Sequence, residues 1–195
     1  MARGEKARAL KPVITGWDDD PAAIADSDTG QLLVAQGLAP TAENIDACSP
    51  FRFKAPLAPD MAAAREGLAL DYERLIAFCR DSIAAKAPDE TLYIEGVGGV
   101  MVPLTENKTV LDWMSDLSLP VLLVAGTYLG TISHTLTAAL ALRERHIAVR
   151  AIILSESVDS PVPPEETAAA IQRHLPGAAV RIVGRGGSAE DFQWT

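Results

Sequence analysis

Two short apolar runs, Pro120–Ala125 (PVLLVA) and Val149–Leu154 (VRAIIL), constrain this chain more than any other feature. Each has the length of a strand, and the stretch Thr131–Arg145 between them reads as a helix. Near-continuous apolar strands must be covered on both faces, which is what crossover helices do for a parallel sheet. The rest of the chain repeats the alternation. A strand ends near Lys11-Pro12, where proline removes a ladder donor, and a helix runs from about Asp28 to Gln36 with Gly37 as its stop signal. The proline-punctuated SPFRFKAPLAPD reads as loop, followed by a short helix at Met61–Arg65 and a longer one from Asp71 to about Ala85. Then come a strand at Thr91–Ile94, a helix at Thr109–Leu117, the two apolar runs, a helix near Glu165–His174, and a last strand at Ala179–Val183 before a polar tail. The expected fold class is α/β, doubly wound, with a mainly parallel sheet. The 195 residues, 48% hydrophobic, fit one domain spanning 1–195.

In open α/β sheets ligands bind outside the carboxyl ends of the strands. The polar residues that follow strands therefore carry the functional signal: Lys11, Glu95, the Gly126–Gly130 loop and Ser155, with Asp28 opening a helix nearby. Glu95 is followed by Gly96, Gly98 and Gly99, which let the backbone turn sharply and approach a ligand. A carboxylate beside bare backbone suits Mg²⁺ and the phosphates it carries, and also suits a solvated acid before a turn. Capping and metal binding compete as readings of Asp28, capping being the commoner use of such a residue, and Lys11 reads as a solvated cation or a site residue. The helix starting at Thr131 leaves the amides of Gly130–Ser133 to be satisfied, a position that favours anions. His134, inside its first turn, reads as structural. Asp18–Asp20 are adjacent rather than spaced around one ion, and the stretch WDDDPAAIADSD reads as a solvated acidic loop.

The net charge of −9 and the lack of a Lys/Arg cluster argue against nucleic acid, whose phosphates require basic residues. No apolar run reaches the roughly 18 residues needed to span a bilayer, and MARGEKARAL has no signal-peptide core, so a cytosolic protein without a membrane role is expected. Cys48 and Cys79 lack metal-ligand spacing and read as reduced thiols.

Five blocks carry a family likeness: LKPVITG at 10–16, SD at 27–28, PLAPDMAA at 56–63, IEGVGGVMVPL at 94–104 and the GTYLGTISHTL block. On these the chain resembles the dethiobiotin synthetases across essentially its whole length. The resemblance implies a P-loop NTPase-type fold, usually a homodimer, that carboxylates 7,8-diaminononanoate with CO2, phosphorylates the carbamate with MgATP, and closes the ureido ring. It implies that Lys11 is the catalytic lysine and Thr15 a substrate-binding hydroxyl. Asp28 and Glu95 would be the Mg²⁺ ligands and contribute to ATP binding. Gly96, Val97 and Gly98 would place their backbone beside the phosphates, Gly98 also beside the substrate. Gly130, Thr131, Ile132 and Ser133 would receive the substrate carboxylate across the dimer interface. Ser155 and Glu156 occupy the adenine-binding position, where the family commonly has asparagine.

The family opens with a strand, a phosphate loop of type GxxxxGK[ST] and a helix, and no GK[ST] occurs in these 195 residues. Met1-Ala2-Arg3-Gly4 aligns with the end of that first helix. The expectation is a family member beginning about one βα unit late, through a misassigned or truncated start, with a non-catalytic substrate- or partner-binding relative as the alternative. Made alone, such a chain is expected neither to hydrolyse ATP nor to form dethiobiotin at an enzymatic rate, since it lacks the phosphate cradle.

Overall fold

The computed structural model describes residues 6–187, which fall into two compact units, 6–117 and 118–187. The first unit contains β1 (Lys6–Leu10), β2 (Val13–Thr15), α1 (Pro21–Asp26), α2 (Asp28–Ala35), α3 (Ala42–Cys48) and β3 (Phe51–Phe53). These are followed by α4 (Pro59–Arg65), α5 (Tyr72–Ala84), β4 (Glu90–Ile94) and α6 (Val110–Leu117). Strand β1 pairs in parallel with β4, Leu10 opposite Ile94, and β2 pairs in parallel with β3, Val13 opposite Phe51. Pro12, with no N–H, marks the change of partner between the two pairs. The Lys11 amide donates to the Cys48 carbonyl, and the Pro12 carbonyl accepts from Phe51.

Strand periodicity then splits the core of this unit. Val13 points into a cluster with Phe51, Leu75, Cys79, Leu104, Val110 and Trp113, whereas its neighbour Ile14 packs with Trp17, Leu33, Ile45 and Cys48. Four elements escaped the sequence reading, the first of them β2, which lies beyond the expected strand end at Lys11-Pro12. Helix α1 lies inside the stretch expected to be an acidic loop: Asp20 accepts from the Ala22 and Ala23 amides and Pro21 fills the first turn, a normal helix start. Strand β3 lies inside the expected SPFRFKAPLAPD loop and is only three residues long, held by β2. Helix α3, capped by Thr41, had no counterpart.

The second unit holds β5 (Val121–Ala125), α7 (Thr131–Glu144), β6 (Val149–Ser155), α8 (Pro164–His174) and β7 (Val180–Val183), in a parallel sheet of order β5-β6-β7. Each strand returns through a helix, giving two consecutive βαβ units. Leu142, Ile152, Leu154 and Ile171 are fully enclosed. PVLLVA is not fully buried as expected: Leu123 is 8% exposed but Val124 is 65% exposed. Successive side chains of β5 point to opposite faces, so Leu123 lies on a covered face and Val124 on the other, open one. The expected polar tail beyond residue 187 lies outside the described residues.

Candidate active site

The β1–β4 register builds the centre of the first unit. Because Leu10 and Ile94 are opposite one another, the next residues, Lys11 and Glu95, leave their strands side by side, and the Glu95 amide continues the ladder to the Leu10 carbonyl at 2.8 Å. Lys11 Nζ donates to Glu95 Oε1 at 2.7 Å, to Asp28 Oδ2 at 2.9 Å and to the Gly96 carbonyl at 2.8 Å. Three donors meet three acceptors, which is why an ammonium group tolerates a side-chain exposure of only 6%. The two carboxylates remain about half exposed, at 56% for Asp28 and 50% for Glu95, with their outer faces open to solvent.

Helix α2 delivers Asp28. Its cap is Ser27, whose Oγ accepts from the Gly30 amide at 3.1 Å, so Asp28 is the first helical residue and not the cap. That frees the carboxylate for other partners while the helix N-terminus favours its charge. Gly30 permits the close turn from α1 into α2, because a Cβ there would run into the Ile24 carbonyl. Both ends of α2 are tied down. Thr29 Oγ1 and Ser49 Oγ share a buried hydrogen bond of 2.7 Å. At the other end the Gln36 amide pairs with both backbone groups of Ala9, at 2.9 and 3.1 Å, two residues before Lys11. Thr29, Ser49 and Gln36 are positioning residues that sequence reasoning missed. Such pairings across 20 to 27 positions leave no local pattern.

The loop after Glu95 combines a Gly96 carbonyl that accepts from Lys11, a side chain at Val97 buried in the core, and a left-handed Gly98 at φ +63°. A Cβ on Gly98 would also come within 2.8 Å of Val102 Cγ2. Glycine is required there on both counts. Thr15, at the end of β2, is half-buried, and Gly16 beyond it adopts φ +73°.

The two carboxylates fit a Mg²⁺ ion. Their oxygens lie within hydrogen-bonding distance of one nitrogen and so are close to each other, both are partly open to solvent, and Mg²⁺ is commonly held by one or two carboxylates together with phosphates and water. Among the described residues no group of three or more His, Cys, Asp or Glu would cage an ion alone. The remaining ligands would have to come from phosphates and water.

In the second unit the loops after β5 and β6 are laced together. The Thr127 amide donates to Ser157 Oγ at 3.0 Å and the Ser157 amide donates back to Thr127 Oγ1 at 2.9 Å. This reciprocal pair brings the Gly126–Gly130 loop and the Ser155-Glu156 strand end to one edge of the sheet. Gly130 caps α7 at φ +99°, and buried Thr131 donates its hydroxyl to the Gly126 carbonyl at 2.7 Å. The Thr131 amide is engaged by Tyr128 O at 3.1 Å, which corrects the expectation that every amide from Gly130 to Ser133 is unpaired. Ile132 is half-buried and Ser133 exposed on the first turn. His134 Nδ1 pairs with the Tyr128 hydroxyl at 3.0 Å. Ser155 is exposed at the end of β6, and Glu156 Oε2 accepts from the Arg185 amide at 2.9 Å.

Residues 1–186 match the sequence pattern of a family described as an AAA domain. With its parallel strands and crossover helices, the chain is an α/β protein of the P-loop NTPase type. It is 52% identical over 188 residues to the ATP-dependent dethiobiotin synthetase BioD of Methylobacterium nodulans, covering 95% of this chain and 83% of that protein. Its identity to the corresponding protein of Acidiphilium cryptum is 48% over 170 residues, 87% of this chain and 74% of that one. The Phenylobacterium zucineum protein gives 44% over 189 residues, 96% and 80%. The chain belongs to the dethiobiotin synthetase family.

Proposed function

We propose that these residues carry the ATP-dependent carboxylation and ring closure of 7,8-diaminononanoate with CO2 to dethiobiotin, a step of biotin biosynthesis. The observation that supports it most is the convergence of Lys11 on Asp28, Glu95 and the Gly96 carbonyl at the carboxyl ends of β1 and β4. In phosphoryl transfer the protein mainly positions charge, and an ammonium group with two metal-binding carboxylates is a minimal set for that work. Mg²⁺, when bound by Asp28 and Glu95, would neutralise charge on the phosphates. Lys11 supplies a cationic donor for the carbamate and the transferring group, and Thr15 a hydroxyl for the substrate. The backbone of Gly96, Val97 and Gly98 lies beside the phosphates, made accessible by the left-handed turn at Gly98. The α7 start at Gly130–Ser133 receives the substrate carboxylate in a homodimer, with Ser155 and Glu156 beside the adenine. Both compact units serve one cytoplasmic synthetase domain that binds small molecules and neither nucleic acid nor membrane. Among the described residues no helix is long and apolar enough to cross a bilayer.

The test is expression from Met1 and from any upstream in-frame start, with both products assayed for dethiobiotin formation dependent on ATP, Mg²⁺ and bicarbonate. Product from either form, lost in Lys11→Ala, supports the assignment. If neither form makes product while both bind diaminononanoate, the non-catalytic binding relative is the correct reading.

A further inference from the structure

The Lys11 ammonium takes one oxygen from each of the two carboxylates that also suit a divalent ion. A metal bonded at the usual 2.0–2.1 Å to the same Asp28 and Glu95 oxygens would sit no more than about 5 Å from Nζ. A divalent and a monovalent cation at that separation repel strongly in a partly buried site. Lys11 has little room to absorb the repulsion by swinging into water, since its side chain is 6% exposed and its third donor is committed to the Gly96 carbonyl.

We propose that Lys11 and a divalent metal ion compete for the Asp28–Glu95 pair, so that metal binding converts Lys11 from a counter-ion of the carboxylates into a free cationic donor. This rests on the reading of Asp28 and Glu95 as metal ligands and adds a direction to it: the lysine opposes the metal. Two consequences follow from the geometry. Lys11 prevents the acidic pair from collecting divalent ions that arrive without phosphates. The nucleotide, whose phosphates bring negative charge and further metal ligands, becomes the agent that tips the exchange. The lysine is then released beside the phosphates at the moment they are bound.

The experiment is Mn²⁺ binding to the full chain without nucleotide, followed by electron paramagnetic resonance or calorimetry, in the wild type, Lys11→Met, Asp28→Asn and the double variant. Methionine keeps the length and bulk of the lysine stem without its charge. The expected result is about tenfold or greater tightening in Lys11→Met, abolished when Asp28→Asn is added. Unchanged or weaker binding in Lys11→Met overturns the competition. If Asp28→Asn leaves Mn²⁺ affinity unaltered in both backgrounds, the metal assignment itself fails. A second readout uses the unmodified protein: the side-chain ¹H–¹⁵N signal of the Lys11 ammonium should shift or broaden as diamagnetic Mg²⁺ is titrated. A signal indifferent to Mg²⁺ that otherwise binds at Asp28 and Glu95 overturns the exchange. Neither readout depends on turnover, so failure of the dethiobiotin assay leaves both interpretable.

Discussion

The Tyr72 hydroxyl donates to Asp116 Oδ2 at 2.7 Å, joining the first turn of α5 to the last turn of α6. Lys108 closes the group, its Nζ 4.8 Å from the centre of the Tyr72 ring and 3.5 Å from Asp116 Oδ2. Burial first, then the hydrogen bond to Asp116 and the nearby charges of Asp116, Asp112 and Glu73, push the phenol far above its ordinary value of 10.0. Below that value tyrosine is neutral in both folded and unfolded chains, and the interaction contributes fully. As pH rises past it the unfolded chain loses a proton that the folded chain keeps, so stability falls. Tyr72→Phe should cost about 1.5 kcal/mol at pH 7, the low end for a bond to a charged group because Asp116 is partly exposed and rehydrates. It should also remove part of the alkaline decline. Urea midpoints at pH 7 and above pH 10 check both, and an identical alkaline decline in the variant would show that another group is responsible.

Gly30 sets where α2 starts and hence where Asp28 points. A Cβ there meets the Ile24 carbonyl, backbone that cannot swing aside, so Gly30→Ala should destabilise the first unit by roughly 3 kcal/mol through overpacking. Gly99→Ala, at a position with nothing within 4 Å of the added carbon, should be near neutral. Equal midpoints for the two variants would mean that α2 shifts without cost.

Much of the architecture was legible because it rests on short-range patterns. The apolar stripe of α5 and the apolar runs of β5 and β6 located those elements to within a residue or two. Helix α1 has its signals in the sequence, Asp20 as cap and Pro21 in the first turn, but three adjacent aspartates are equally the composition of a solvated loop. Strand β3 could not be seen, since Phe51–Phe53 is a strand only by virtue of β2 beside it. The candidate site shows the same division. That Lys11 and Glu95 follow strands is a local property. That β1 and β4 are neighbours in a register placing those residues together is a long-range one, as are the Gln36 clamp on Ala9 and the Thr29–Ser49 bond.

Cys79 is wholly enclosed, and burial raises its thiol to about 11. At pH 8 it is almost entirely the unreactive thiol form and also sterically shielded. Thiol reagents should therefore label Cys79 only at the rate at which the first unit opens, and immediately in denaturant. Prompt labelling of Cys79 in the native protein, located by peptide mass, would contradict the packing around α5.

Gly130 separates the two ligand functions proposed for the second unit. Its φ of +99° is costly for any residue with a Cβ, and the Cβ of Gly130→Ala would lie 3.6 Å from His134 Cε1, ordinary contact, so backbone strain rather than a clash decides the outcome. Strain of about 1–2 kcal/mol is relieved by rotating the peptide planes that open α7, which misaligns the amides proposed to receive the substrate carboxylate. Affinity for diaminononanoate should fall roughly tenfold, since about 1.4 kcal/mol corresponds to one decade. ATP affinity should fall much less, because the adenine contacts proposed at Ser155 and Glu156, at and just beyond the end of β6, are held in addition by the Glu156 amide donating to the Val183 carbonyl and by the Arg185 amide donating to Glu156. Calorimetric titration of each ligand into the active form makes the comparison, with thermal melting to confirm that the fold survives. Equal losses for both ligands would show that the α7 start supports the whole site rather than the substrate carboxylate.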